Sequence, residues 1–296
     1  MFNNPPVILS HKNVLDLGNF VVPEFIINKS YIPSQANLFH RFCPHRRYPL
    51  HEVGEITQDI TCNFHNFLWD QSGTPINNNK KLHCGTADIG RSGLVFKNFK
   101  EPTHFWVDTL SQEKDLVYSH TVSGKSTGSW LWVMDSNVDI WHVHDGPGSI
   151  HPELAKIVDL SAIEMYEGDG WVLQNHPFGW WLFIFPHNFI EWSPGCLHIN
   201  YTVPDKQDCE FGFDWISQFY FTPEVSLDTR KQFETLVDVF RQDIQAVEKQ
   251  KGPYFPLINS ANHLEDHCVV WGEWFQDRKS TRLNSSHVAL SRMPSS

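Results

Sequence analysis

Two short Cys/His pairs constrain this 296-residue chain more than any other feature: Cys43-Pro44-His45 and, after sixteen intervening residues, Cys62-Asn63-Phe64-His65. Neither pair fills the coordination shell of a metal by itself, so the fold must bring two turns together. Zinc knuckles group two Cys in one hairpin and place two His elsewhere, whereas here each loop supplies one thiolate and one imidazole. That division suits a [2Fe–2S] cluster with two thiolates on one iron and two imidazoles on the other. A structural zinc site is the competing reading. The flanking runs Asn19-Phe20-Val21-Val22, Glu24-Phe25-Ile26-Ile27 and Gly93-Leu94-Val95-Phe96 are β-rich and punctuated by Pro and Gly, so residues 1–100 read as a small β domain.

The spacing closely resembles the Rieske cluster signature. Arg46 follows the first pair, and Asn66-Phe67-Leu68-Trp69-Asp70-Gln71-Ser72-Gly73 carries the aromatic residue and turn glycine that follow the second in that family. The resemblance makes Cys43, His45, Cys62 and His65 the cluster ligands. His40, His51 and His83 lie off the motif and read as bystanders.

A domain of this kind needs little more than a hundred residues, and the chain continues well beyond it. Trp130-Leu131-Trp132-Val133-Met134-Asp135 leads into Asn137-Val138-Asp139-Ile140-Trp141-His142, and after eight residues come His151-Pro152-Glu153-Leu154. Here the chain resembles the large (alpha) subunit of Rieske-type non-haem iron oxygenases, the ring-hydroxylating and oxidative-demethylating enzymes. That family sets an acid three residues before a His, then a second His often followed by Pro, and a distant Asp. Two imidazoles and a carboxylate on one face of Fe(II) leave positions open for O2. His142 matches the first iron ligand, and Asp139 matches the acid that bridges to the cluster of a neighbouring subunit. The family's spacing for the second His lands on Pro147. His151 has the matching sequel and makes Asp145-Gly146-Pro147-Gly148 part of a loop insertion; His144 is the alternative. Six residues before His142 the family commonly has Asn, where this chain has Ser136, with Asn137 one place on.

Residues 228–250 give the clearest helix, with Phe233, Leu236, Val237, Phe240, Ile244 and Val247 forming one apolar stripe that Gly252-Pro253 ends. Asp243 falls on the flank of that stripe, while Asp238 and Gln242 point toward solvent. A carboxylate beside a buried face is costly unless paired or metal-bound, and the stretch from Gln242 to Gln250 resembles the family's ligand-bearing helix. Asp243 is therefore the expected third ligand. His176, His187 and His198, in an aromatic-rich segment, read as structural. Cys84, Cys196, Cys209 and Cys268 share no spacing and read as inert. Trp180, Trp181, Phe183 and Phe185 read first as core packing, with some positions open to a substrate pocket.

Charge sorts the partners. Lys and Arg total 23 against 34 Asp and Glu, a formal net charge of −11, which repels phosphate backbones and makes nucleic acid a poor partner. The longest strongly apolar run, Trp180 to Phe185, is too short to span a bilayer. With no basic stretch and apolar run at the amino end, a cytoplasmic protein is expected. Residues 278–296 hold six Ser and four basic residues with no acid or aromatic; they read as a disordered tail, similar to adapter read-through. Without them the chain carries 19 basic and 34 acidic residues, a surface suited to a reductase or ferredoxin with a basic patch.

The resemblance thus implies an α+β protein. Residues 1–100 form an antiparallel β Rieske [2Fe–2S] domain, and residues 101–277 a helix-grip (Bet v1-like) catalytic domain with a long C-terminal helix. It also implies a mononuclear Fe(II), O2, electrons from NAD(P)H through a separate reductase with or without a ferredoxin, a small organic substrate and a homotrimer. The rival expectation is a Rieske electron-transfer or metal-binding protein with an inactive second domain.

Overall fold

The computed structural model describes residues 7–276 save 16–18, 22–24, 30–33, 52–53, 57, 98–108, 110–111, 113–114, 144–148, 169, 186–187, 205–209, 251 and 261. His144, the 145–148 insertion, His187, Cys209 and the Ser-rich tail lie outside the described residues, as do the side chains of His83 and Cys84.

Among the described residues two seven-stranded antiparallel sheets dominate, in an α+β architecture. The first runs in the order β1 (Val7–His11), β9 (Leu94–Lys97), β8 (His83–Ile89), β4 (Gln35–His40), β3 (Phe25–Lys29), β2 (Asn19–Val21) and β5 (Gly54–Ile56). A separate hairpin of β6 (Ile60–Cys62) and β7 (Phe67–Trp69) packs against it through Ile60, Cys62 and Trp69. The second sheet runs β10 (Val117–Ser129), β16 (Phe211–Phe221), β15 (Cys196–Pro204), β14 (Asn188–Ser193), β13 (Gly179–Ile184), β12 (Trp171–His176) and β11 (Glu164–Gly168).

The aromatic run at 180–185 is explained by this stacking. Successive side chains of a strand point to opposite faces, and both faces of β13 are covered. Trp180, Leu182 and Ile184 pack with Leu9, Ile27, Leu38 and Phe96 of the first sheet. Trp181, Phe183 and Phe185 pack with the helices on the other side. A strand buried on both faces reads as an unbroken apolar run. Within the layer between the sheets, the Gln218 carboxamide oxygen accepts hydrogen bonds from Tyr201 (2.8 Å), Tyr220 (2.9 Å) and Ser10 (3.3 Å). That network ties β1 to the second sheet.

Helix α1 (Lys12–Leu15) follows β1. Helix α2 (Trp130–Val138) begins where Ser129 accepts from the Trp132 N–H at 3.4 Å; the sequence reading gave no helix here. The expected long helix at 228–250 is two: α3 (Leu227–Glu234) and α4 (Leu236–Val247). Thr235 lies between them, and its hydroxyl donates to the Gln232 carbonyl at 2.6 Å. A back-bonding Thr competes with the helical ladder and tightens or bends it. Helix α4 carries Val237, Phe240, Ile244 and Val247 into the core as the periodicity requires. A last helix, α5, spans 266–276 and buries Trp271 beside Phe185. No helix among the described residues is long and apolar enough to cross a membrane.

Candidate metal centres

The two turns of the first motif bring Cys43 to Cys62 and His45 to His65. Cys43 and Cys62 are buried in a compact core with Ile26, Phe39, Leu50, Ile60 and Trp69. The first turn closes through Arg47 N–H to the Cys43 carbonyl (2.8 Å) and Cys43 N–H to the Tyr48 carbonyl (2.8 Å), with Arg47 at φ 58°. The second closes through Asn66 N–H to the Cys62 carbonyl (2.8 Å), with Asn66 at φ 56°. Asn tolerates that left-handed conformation better than most residues. Gly73 follows at φ 78°, where an added Cβ would lie 2.7 Å from the Phe39 ring.

His45 and His65 point outward from this core, and their Nδ1 atoms approach to 3.3 Å. Partial desolvation, then the positive charge of His65, holds the His45 pKa below its ordinary value, which favours the neutral imidazole a metal needs. Two buried thiols in contact, Cys43 and Cys62, and two facing imidazole nitrogens supply the donor set of a cluster with one Cys₂ and one His₂ iron. Tyr48 and Phe64, both exposed, stack at 5.7 Å and 9° beside the imidazoles.

The second site gathers side chains from three elements. Helix α2 ends at Val138, with Asp139 N–H bonded to the Asp135 carbonyl (2.9 Å). The Asp139 carboxylate then accepts from the Trp141 N–H at 2.8 Å, a side-chain turn that aims the next residues inward. The buried Gln174 of β12 donates to the Val138 carbonyl at 2.8 Å and satisfies the helix end. His142 lies with Nδ1 3.7 Å from Asp139 Oδ2 and Nε2 3.5 Å from Asp243 Oδ1. His151, 1% exposed, places Nε2 2.8 Å from the same Asp243 oxygen. One ligand atom from each of His142, His151 and Asp243 lies within 4.8 Å of the others.

The electrostatics of the three fit a cation. Burial works to raise the Asp243 pKa, but hydrogen bonds and charge from His142 and His151 bring it below the ordinary carboxylate value. Burial opposes a charge on His142, yet hydrogen bonds and charge from Asp139 and Asp243 push its pKa up to about 10. Without a metal the cluster recruits a proton as its counter-ion. Two imidazoles and a carboxylate suit divalent iron with open positions.

Gln242 departs from its expected orientation. Its backbone sits on the outer side of α4, but its carboxamide oxygen reaches back to His151 Nδ1 at 2.8 Å. That contact keeps the proton on Nδ1 and leaves Nε2 for a metal. Helical periodicity gives a direction for Cβ, not the reach of a long side chain, so the sequence carried no signal for it. Asn137 lines the same pocket as the triad, and Ser136 turns back to the Val133 carbonyl at 3.0 Å. His176 is buried against Trp181, and His198 against Phe219, as structural His would be. Cys196 and Cys268 are buried free thiols.

Residues 23–86 match the family model for the Rieske [2Fe–2S] domain. The amino-terminal sheet carries a Rieske domain. Similarity to solved structures extends past this domain. The quaternary ammonium Rieske monooxygenase CntA, solved with L-carnitine, superposes with a TM-score of 0.60 at 19% identity, covering 84% of this chain and 78% of that one. Dicamba monooxygenase bound to dicamba gives a TM-score of 0.53 at 9% identity, covering 96% and 99%. No curated protein matches the chain by sequence. The chain therefore has the fold of the Rieske monooxygenases, with its Rieske domain followed by the sheet and helices that enclose His142, His151 and Asp243.

Proposed function

We propose that the chain is the terminal oxygenase component of a multi-protein system. It takes electrons from a separate NAD(P)H-dependent reductase, with or without a ferredoxin, and hydroxylates a small organic substrate with O2. The observation that carries this reading is the convergence of His142, His151 and Asp243 on one point at a pocket walled by Trp181, Phe183, Phe189, Leu154 and Val239. In this reading Cys43, His45, Cys62 and His65 hold the [2Fe–2S] cluster, and His142, His151 and Asp243 hold a mononuclear iron. When bound, the two centres supply one-electron transfer and O2 activation respectively.

The chain's own residues do the rest. His45 and His65 are the exposed edge of the Rieske domain and the natural exit for an electron. Asp139 holds His142 from its outer side and would receive the imidazole edge of a neighbouring subunit's Rieske domain. A homotrimer that pairs each cluster with the next subunit's iron suits the exposed rings of Phe64 and Trp141 near these two points. The apolar pocket walls exclude water and hold substrate beside the triad. Both aromatic hydroxylation and oxidative demethylation remain within this chemistry.

The test is turnover with a surrogate reductase, NADH and 18O2 over a panel of aromatic acids, methoxyarenes and methylated amines. Substrate-dependent incorporation of label into product is expected. If the cluster is reduced and reoxidised but no member of the panel is oxygenated or demethylated, the electron-carrier alternative with an inactive second domain is the better account.

A further inference from the structure

The end of α2 carries two carboxylates one helical turn apart. The Asp139 N–H donates to the Asp135 carbonyl at 2.9 Å, so Asp139 hangs from the backbone of Asp135. The Asp135 side chain is fixed separately, its Oδ1 accepting from the Tyr254 hydroxyl at 2.9 Å. Tyr254 is held in turn by a hydrogen bond from its N–H to Glu210 Oε1, and its ring sits edge-on to Trp132 (4.9 Å, 80°) and Phe275 (5.2 Å, 84°). Asp135 and Asp139 open together on a cleft of about 360 Å³ walled by Trp132, Phe255, Pro256 and Leu257.

Two negative charges at this point oppose each other. Like charges four residues apart on a helix repel, and the carbonyl end of a helix disfavours an anion. The last turn of α2 has no basic residue to offset them. The other titratable groups of the cleft, Glu265 and Cys268 near the start of α5, supply no cation, and burial pushes the Cys268 thiol up so that it stays uncharged. The Asp139 carboxylate meets the Trp141 N–H at 2.8 Å and His142 Nδ1 at 3.7 Å. Asp135 faces a single hydroxyl. Burial pushes its pKa up from 3.8 to about 7, with the Tyr254 hydrogen bond opposing and the charge of Asp139 adding. The proton at this helix end therefore belongs on Asp135.

We propose that Asp135 is a positioning residue for Asp139: in its acid form, bonded to Tyr254, it leaves Asp139 as the one anion at the end of α2, held against His142, and on ionising it repels Asp139 from that place. Asp135 lines the outer cleft and not the pocket of the triad, so it acts through Asp139. The inference rests on reading Asp139 as the relay to His142 and adds the group that keeps it there.

The test compares the full chain with Asp135→Asn, which keeps an acceptor for Tyr254 but cannot ionise. In the metal-free protein, a carboxyl pKa raised from 3.8 to about 7 makes stability fall as pH rises between those values. The variant is spared that loss. Its melting temperature should gain on that of the unmodified chain from pH 5 to 7 and hold a constant lead above. In the iron-loaded protein, electron transfer from the reduced cluster to the mononuclear iron, followed by stopped-flow absorbance, should match between the two at pH 6. Above pH 7 the unmodified chain should fall behind by up to about tenfold per pH unit. A melting difference that is the same at every pH overturns the proposal, as does a rate ratio that ignores pH; a merely structural Asp135 would give both. If Asp135→Asn does not fold, Tyr254→Phe takes its place. Loss of a bond that favours ionised Asp135 should make its melting deficit grow as pH rises past 7, and a constant deficit overturns the proposal. A reduced cluster that passes no electron to a mononuclear iron at any pH removes the oxygenase reading. The melting comparison then decides Asp135 by itself: a lead that grows with pH keeps it as the proton holder of α2, and a constant one removes it.

Discussion

Single atoms decide the chemistry at the second site. Asp243 is 3% exposed, and both His142 and His151 converge on its Oδ1. Asp243→Ala should keep the Rieske spectrum but lose mononuclear iron and turnover; retained turnover would refute its place in the triad. Gln242 acts one step further out, through His151 Nδ1. Gln242→Leu should weaken Co(II) binding to the iron-free protein about 10- to 100-fold, the usual cost of losing an orienting partner, while Gln242→Glu should restore it. The pH dependence follows from His142. Its folded pKa is raised from 6.5 to about 10, so the metal-free protein gains stability from it below pH 6.5 and loses that gain as pH rises toward 10. A metal must displace that proton, so Co(II) affinity should climb by up to about tenfold per pH unit across this window. A flat affinity profile between pH 7 and 9 would show that His142 is not protonated in the metal-free state.

At the scale of elements, the two cluster turns were legible because their ligands are adjacent in sequence and each turn closes on itself. The turn between β6 and β7 depends on Asn66 at positive φ. Asn66→Val should cost about 1–2 kcal/mol and lower the temperature at which cluster absorbance is lost, whereas Asn66→Gly should be nearly neutral. The helices were less legible. The stripe on α4 reported itself through periodicity, but the break at Thr235 arises from one hydroxyl and leaves no trace in the apolar pattern. Helix α2 was missed for a different reason. Trp130, Leu131, Val133 and Met134 are nearly all buried, so its sequence lacks the polar face that marks a surface helix. His151 was legible through its Pro152-Glu153-Leu154 sequel although its separation from His142 departs from the expected spacing, and the fold sets its Nε2 2.8 Å from Asp243.

Across the whole molecule, the joint core between the two sheets makes the Rieske domain and the carboxy-terminal sheet one packed body, with Gln218 serving three hydroxyls inside it. Replacing Gln218 with Leu would strand buried donors, each worth about 1–3 kcal/mol. A single cooperative unfolding transition at lower temperature is the expected result, and two separated transitions would show that the sheets are independent. The charge balance, 19 basic against 34 acidic residues before the tail, predicts that reduction by a basic electron donor slows as salt rises. Asp139→Asn should leave both metals in place and slow electron transfer between them; an unchanged rate would remove Asp139 from the relay. On the proposed reading one chain holds two different iron centres. Iron and acid-labile sulfide are to be measured per chain alongside the ferrous signal of the reduced protein. About three irons and two sulfides are expected, with Asp243→Ala falling to two irons. Two irons in the unmodified chain, with no mononuclear ferrous signal after anaerobic iron loading, would contradict it.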